Sequence, residues 1–196
     1  MRSSFWHVGI NKHMEDNEEG RAPRIQPNGS IERILLPDHA DPDYNNLTYG
    51  EPMGRGWGRL GNLENGDIAF LIESATGDEW KTWSYYVVAI YVTEEVYHFD
   101  HGSWVPHAPQ GKHLERISYN AHFLDSEEDY YVLLGEKERS RVMFDKPFRL
   151  SEKQDPLKSA KLALKLNQNK HYVSYWYHHW FENEETEDLL ELIGKS

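Results

Sequence analysis

The chain has 196 residues, enough for one domain with a real core, and 38% of it is apolar. It carries 33 acids and 21 bases, a net charge of −12, which argues against tight non-specific binding to DNA. It has no cysteine, which excludes disulfides, thiolate zinc sites, iron–sulfur clusters and a Cys nucleophile.

The 7 Trp, 12 Tyr and 7 Phe argue against a disordered chain. No run approaches 18 apolar residues, and Met1–His7 is no signal-peptide stretch, so a cytoplasmic protein with no membrane partner is expected. The charge is uneven. Residues 1–135 hold 10 bases and 22 acids, residues 136–170 hold 10 bases and 5 acids, and residues 171–196 hold one base and six acids. The middle segment, at 10 − 5 = +5, reads either as an anion-binding face or as a solvated lysine-rich helix.

Phe5–Ile10 is a short strand by its apolar and aromatic content. Residues 12–30, with Gly20, Pro23, Pro27 and Asn28-Gly29, read as a loop, and Ile31–Leu36 as a strand. Residues 37–66 show no long periodic segment and are glycine-spaced, as in a loop that closes over a ligand. Gly66-Asp67 then leads into the strand Ile68–Ile72. Trp83–Thr93, β-branched and aromatic throughout, is the strongest strand signal. Gly77-Asp78 between them predicts an antiparallel hairpin at the centre of the sheet. Residues 98–122 read as a His-rich loop, and Tyr130–Leu134 and Arg141–Leu150 as strands. Asp155-Pro156 opens an expected helix with Leu157, Ala160 and Leu164 at helical spacing. Residues 171–181 are aromatic and ambiguous, and Glu184–Ile193 is an acidic terminal helix stopped by Gly194. Strands do not alternate with helices. The expected fold is one α+β domain over 1–196, a curved, mostly antiparallel sheet or partly open barrel with flanking helices and an acidic C-terminal helical tail.

Gly54–Arg59, with Trp57 inside it, is glycine-rich and basic but lacks the Lys-Ser/Thr ending of a phosphate-binding loop. His98, His101, His107 and His113 crowd into 16 residues without a metalloprotease spacing, so surface or structural roles are expected and no resident metal. Asp67 followed by Glu79 and Lys81 matches the loose acid…Glu-x-Lys pattern of metal-dependent nucleases, in which carboxylates hold Mg²⁺ and the lysine stabilises the attacking hydroxide. No Gly-x-Ser-x-Gly elbow supports a serine hydrolase.

Several separated stretches carry a resemblance. They are His7-Val8-Gly9-Ile10-Asn11, Arg21–Ser30 with Leu35-Leu36-Pro37, Leu63–Phe70, the strand Tyr85–Val92, Tyr119–Phe123, and Leu134-Gly135 followed by Arg139-Ser140-Arg141 and Lys146-Pro147. Their order, over roughly residues 5–151, resembles the nucleotide-modification-associated domains, chiefly the third numbered family of that group. The leading strand, the Gly-Asp before an apolar strand and the long strand after it also resemble PUA-like domains of the ASCH and EVE branches.

The resemblance implies a small curved PUA-like β-barrel that binds RNA or a modified base, set in prokaryotic or phage systems of DNA modification or defence. As a binding module, the chain would stack a base on Trp6, Trp57, Trp83 or Tyr85 and read its edge with His7, Asn11, Asn120 and His122. Arg24, Arg139 and Arg141 would meet phosphate. As an enzyme on nucleic acid, it would be a Mg²⁺-dependent nuclease using Asp67, Glu79 and Lys81, or a base hydrolase with His122 as general base. As a non-catalytic subunit, so acidic a domain would meet a basic protein of a defence complex.

Overall fold

The computed structural model describes residues 1–8, 21–25, 31–35, 41–52, 60–75, 84–100, 103–105, 110–120, 129–143, 145–150 and 180–194. The strands are β1 (Ser3–His7), β2 (Arg21–Ile25), β3 (Ile31–Leu35), β4 (Thr48–Pro52), β5 (Ile68–Ala75), β6 (Ser84–Asp100), β7 (Ser103–Val105), β8 (Tyr130–Gly135), β9 (Arg141–Val142) and β10 (Phe148–Leu150). The helices are α1 (Lys112–Ile117) and α2 (Asn183–Gly194), and Leu60–Asn62 is a single 3-10 turn. The protein is a mixed α+β fold with a mostly antiparallel sheet.

The sheet is built along β6. On one side β6 pairs with β5 and, at its far end, with β7. On the other side it pairs in turn with β10, β9 and β8. The path through the sheet is β1-β5-β6-β8-β4, and only the β1–β5 step is parallel, with Ser3 opposite Ile68 and His7 opposite Ile72. A separate two-stranded sheet pairs β2 with β3.

Two irregularities bend β6. The register against β5 skips one residue, because Leu71 faces Ala89 while Ile72 faces Val87. Val88 and Ala89 therefore both turn to the same side, as a bulge requires. A second shift separates Thr93 from Glu95 in the pairing with β8. The sheet curls far enough that Trp6 of β1 packs edge-on against Tyr49 of β4, ring centroids 6.1 Å apart, although these strands end the path.

Strand alternation then sorts the core. Trp6, Val8, Ala69, Leu71, Tyr86, Tyr91, Leu133 and Tyr49 line the inside of the curl. Phe5, Ile68, Phe70, Ile72, Val87 and Ile90 face out, beneath α2, which sets Leu189 and Ile193 one turn apart against them. Phe181 meets Phe5 edge-on at 5.4 Å. On the other half of the outer face, Ile117 of α1 covers Tyr97, Val132 and Leu134.

The expected central hairpin is present, as is the terminal helix. Other boundaries differ. Arg21–Ile25, expected within a loop, is a strand. β6 runs to Asp100 rather than Thr93, and the supposed His-rich loop contains β7 and α1. The strand expected over 141–150 is two short strands parted by residues 143–147. The helix expected after Asp155 and most of the aromatic segment 171–181 lie outside the described residues.

Chain ends are fastened to β1 and β5. Phe181 and Ser3 exchange two backbone hydrogen bonds of 2.8 and 2.9 Å. Thr186 donates its hydroxyl to the Phe181 carbonyl at 2.9 Å and accepts from the Ser3 hydroxyl at 2.9 Å. At the start of α2 the Glu185 carboxylate accepts the Glu182 N–H at 3.2 Å, half of a capping box. Asp67 accepts four donors: the Arg2 backbone N–H at 2.8 Å, Arg2 Nε at 3.2 Å, Arg2 Nη2 at 2.6 Å and the Glu64 N–H at 3.1 Å. The Arg2 guanidinium also lies 4.7 Å from the centre of the Trp180 ring.

Burial pulls the Asp67 carboxyl upward, but the hydrogen bonds from Arg2 and Glu64 outweigh it and hold the group below the usual carboxylate range. A carboxylate lowered in the folded state stabilises above its unfolded value and loses that contribution as pH falls through the folded one. Asp67→Asn should therefore cost about 1–3 kcal/mol near neutral pH by urea unfolding. The gap from the wild type should narrow as pH drops below about 4.

Candidate functional site

The inside of the curl is the part of the molecule whose composition is wrong for a plain core. Rings dominate it: Trp6, Tyr44, Tyr49, Tyr86 and Tyr91 are all at most 8% exposed and belong to one cluster. Among them stand polar groups. Ser4 shares the inward face of β1 with Trp6, and Thr93 that of β6 with Tyr91. Both are fully buried, and neither Ser4 Oγ nor Thr93 Oγ1 has a hydrogen-bond partner among the described residues. Ser4 stands opposite Ala69, which in turn faces Tyr91.

Carboxylates border the same face. Glu73 continues the inward positions of β5 after Ala69 and Leu71 and is 5% exposed. Glu51 follows Tyr49 by two residues on β4. Asp41 accepts the Gly50 N–H at 2.6 Å and Asn120 Nδ2 at 3.0 Å, and Asn120 also donates to Thr48 Oγ1 at 3.1 Å. Asp43 caps its own turn, with Oδ1 accepting the N–H groups of Asn45 and Asn46 and Oδ2 accepting Asn46 Nδ2. Burial first, then Glu73 and Asp41, push the Tyr44 phenol far above its usual range. Burial first, then Asp41 and Glu51, do the same to Tyr49. These phenols stay neutral and can donate a hydrogen bond at any physiological pH.

A second polar network sits at the β6 irregularity near Thr93. Tyr97 donates its hydroxyl to Glu95 Oε2 at 2.7 Å and lies 2.8 Å from His113 Nδ1. His113 Nε2 is 3.0 Å from Glu94 Oε1. Arg116, only 6% exposed, reaches Glu94 Oε2 at 2.9 Å through Nη1, the Asn46 carbonyl through Nε and Nη2 at 3.0 and 2.9 Å, and the Gly135 carbonyl through Nη2. Burial, then the bond to Glu95, raise the Tyr97 phenol well above its usual range. What this network does is join α1, β6, β8 and the 41–52 segment, all of which Arg116 or His113 touches.

The structure scatters the residues singled out in the sequence. Asp67 is taken up by Arg2 and Glu64, while Glu79 and Lys81 lie outside the described residues. Asn11, Trp57, Trp83 and His122 lie outside them as well. His7 ends β1, Arg24 stands in β2 opposite Glu32, and Tyr85 in β6 opposite Ser74. Trp6 packs inside the curl, whereas Asn120, just after α1, donates to Asp41 and to Thr48, whose strand partner Leu134 lies on the outer face. Arg139 is exposed in the turn before β9 and forms an ion pair with Glu136, and Arg141 is exposed on β9. Among the described residues no three His, Asp or Glu side chains gather closely enough to hold a metal ion, and no helix is long and apolar enough to cross a membrane.

The reading of the sequence passed over Glu73, Tyr44, Tyr49 and Arg116. Glu73 left one signal, a lone acid within the apolar run Ile68–Ala75. Arg116→Ala should cost about 3–5 kcal/mol in chemical denaturation, because it strands two carbonyls and Glu94. Arg116→Lys should recover only part of this, since an ammonium cannot reproduce the fork. No family model, curated protein or solved structure matches the chain.

Proposed function

We propose that the chain is a nucleic-acid-associated binding module. Its curled sheet, a partly open PUA-like barrel, holds a base or nucleotide, modified or not, in the setting of DNA modification or defence that the resemblance implies. One observation carries this: the inside of the curl combines aromatic rings with fully buried hydroxyls at Ser4 and Thr93 that have no hydrogen-bond partner among the described residues. Buried hydroxyls without partners cost free energy unless something polar meets them. A base supplies both what the rings favour, a flat π-face, and what the hydroxyls lack, an edge of donors and acceptors. The arginines assigned to phosphate from the sequence do not support this part of the reading, because Arg139 pairs with Glu136 and Arg141 stands opposite the outward-facing Ile90. Nothing in the surroundings of Asp67 favours the nuclease alternative, because its oxygens are already engaged.

The test is a titration of nucleosides, nucleotides and short single-stranded oligonucleotides, followed by tryptophan fluorescence. At least one class should bind. Thr93→Val and Ser4→Ala should each weaken that binding about tenfold, the value of one lost hydrogen bond, and leave the melting temperature unchanged or higher. Binding that neither variant alters, or no binding by any member of the panel, overturns the proposal.

A further inference from the structure

Three short polar contacts meet where α1 lies on β6, and each needs a hydrogen between its two atoms. His113 Nε2 stands 3.0 Å from Glu94 Oε1, His113 Nδ1 stands 2.8 Å from the Tyr97 hydroxyl oxygen, and that oxygen stands 2.7 Å from Glu95 Oε2. Without its hydrogen, each contact would set one lone pair against another. A neutral imidazole brings one N–H and a phenol one O–H, so with ionised carboxylates three contacts share two hydrogens. Burial and the bond to Glu95 hold the Tyr97 phenol far above its usual range, so its proton stays and is donated to Glu95. Both ring nitrogens of His113 are then donors, which is the imidazolium form.

The surrounding charges suit that form. Glu94, Glu95 and Tyr97 face His113 from β6, and Arg116 of α1 shares the Glu94 carboxylate with it. β8 meets this helix with the apolar Val132 and Leu134 and with the Gly135 carbonyl, and the 41–52 segment meets it with the Asn46 carbonyl. Among the described residues, two carboxylates thus face two cations. His113, Glu94 and Glu95 all keep part of their side chains exposed, so protons reach the site from solvent.

We propose that α1 is a proton-operated latch: one proton taken up at His113 completes the bonds that hold the helix on β6, and its loss releases them. The latch holds more than its own six residues. Arg116 grips the Asn46 carbonyl through Nε and Nη2, and Asn120, just after α1, donates to Asp41 and Thr48. Release of α1 therefore slackens the 41–52 segment as well. The docked helix binds one proton more than the released one, so docking weakens as pH rises through the histidine range.

Amide hydrogen exchange of the full chain, corrected for its intrinsic pH dependence, reads this release. The N–H groups of Glu115, Ser118, Asn120 and Gly50 are all hydrogen-bonded in the docked state. Their protection should fall at least about threefold between pH 6 and pH 8, the sign that a proton bound on docking requires. The Ser3 and Phe181 amides, bonded to each other at the opposite cover of the sheet, should not change. Glu95→Gln supplies the missing hydrogen from its own amide, so Tyr97 can donate to a neutral His113. This variant should stay docked at pH 8 and lose the pH dependence. Tyr97→Phe removes two of the three contacts, and should lower protection at both pH values and lose most of the dependence. Circular dichroism checks that both variants fold. Protection at α1 that is equal at pH 6 and pH 8 in the wild type overturns the proposal. So does an undiminished dependence in Glu95→Gln or, if that variant does not fold, in Tyr97→Phe.

Discussion

Everything in this structure depends on the 17-residue β6, which pairs with β5 over 84–92, with β10 and β9 over 85–90, with β8 over 93–99 and with β7 over 98–100. A strand that long cannot stay straight when it must serve one set of partners over 84–92 and another over 93–99. The extra residue at Val88/Ala89 and the shift at Thr93/Glu95 add local twist where the partners change. The twist turns one face inward on itself. Because Tyr86, Val88, Ala89 and Tyr91 all point to that side, the inner core is continuous around the bend. The parallel addition of β1 then brings Trp6 across to Tyr49.

The outer face needs separate cover, and the chain supplies it from two places. α2 shields the β1-β5-β6 half and α1 the β6-β8 half. A six-residue helix has little stability of its own, so α1 is held by Ile117 below and by Arg116 and His113 at its sides. The second shift in β6 is where Glu94 and Glu95 turn toward that helix. A single irregularity thus shapes the inside of the sheet and anchors the helix on its outside. α2 is held differently, by the backbone exchange between Ser3 and Phe181 just before it and by its apolar stripe.

The legible parts of the fold were those with unbroken local patterning. Ile68–Ile72 and Trp83–Thr93 read as strands because β-branched and aromatic residues fill them, and the antiparallel pairing expected of them is present between β5 and β6. The extension of β6 was hidden because Glu94, Glu95 and His98 interrupt the apolar run just where the strand turns polar groups toward α1 and β8. β4 was hidden by Gly50 and Pro52, which are rare in strands and tolerable here because β4 ends the sheet. The parallel β1–β5 pairing joins residues 65 positions apart, and no local signal encodes it. The site was less legible still. Asn120 was singled out and is buried, but beside α1, as a brace for Asp41 and Thr48. Tyr44 and Tyr49 are two tyrosines among 12, and only the curl makes them neighbours of Glu73 and Trp6.

The central claim is that the sheet closes on its own inner face, and the contact between its first and last strands tests it most directly. Ring centroids 6.1 Å apart place ring protons of Trp6 and Tyr49 within the range of a nuclear Overhauser effect. The fold requires cross-peaks between the Trp6 indole and the Tyr49 ring, with slowly exchanging amides along both halves of β6. Absence of the Trp6–Tyr49 cross-peaks in a folded sample, with β1 and β4 each still paired in its own ladder, would mean an open sheet with no enclosed face and would contradict the account.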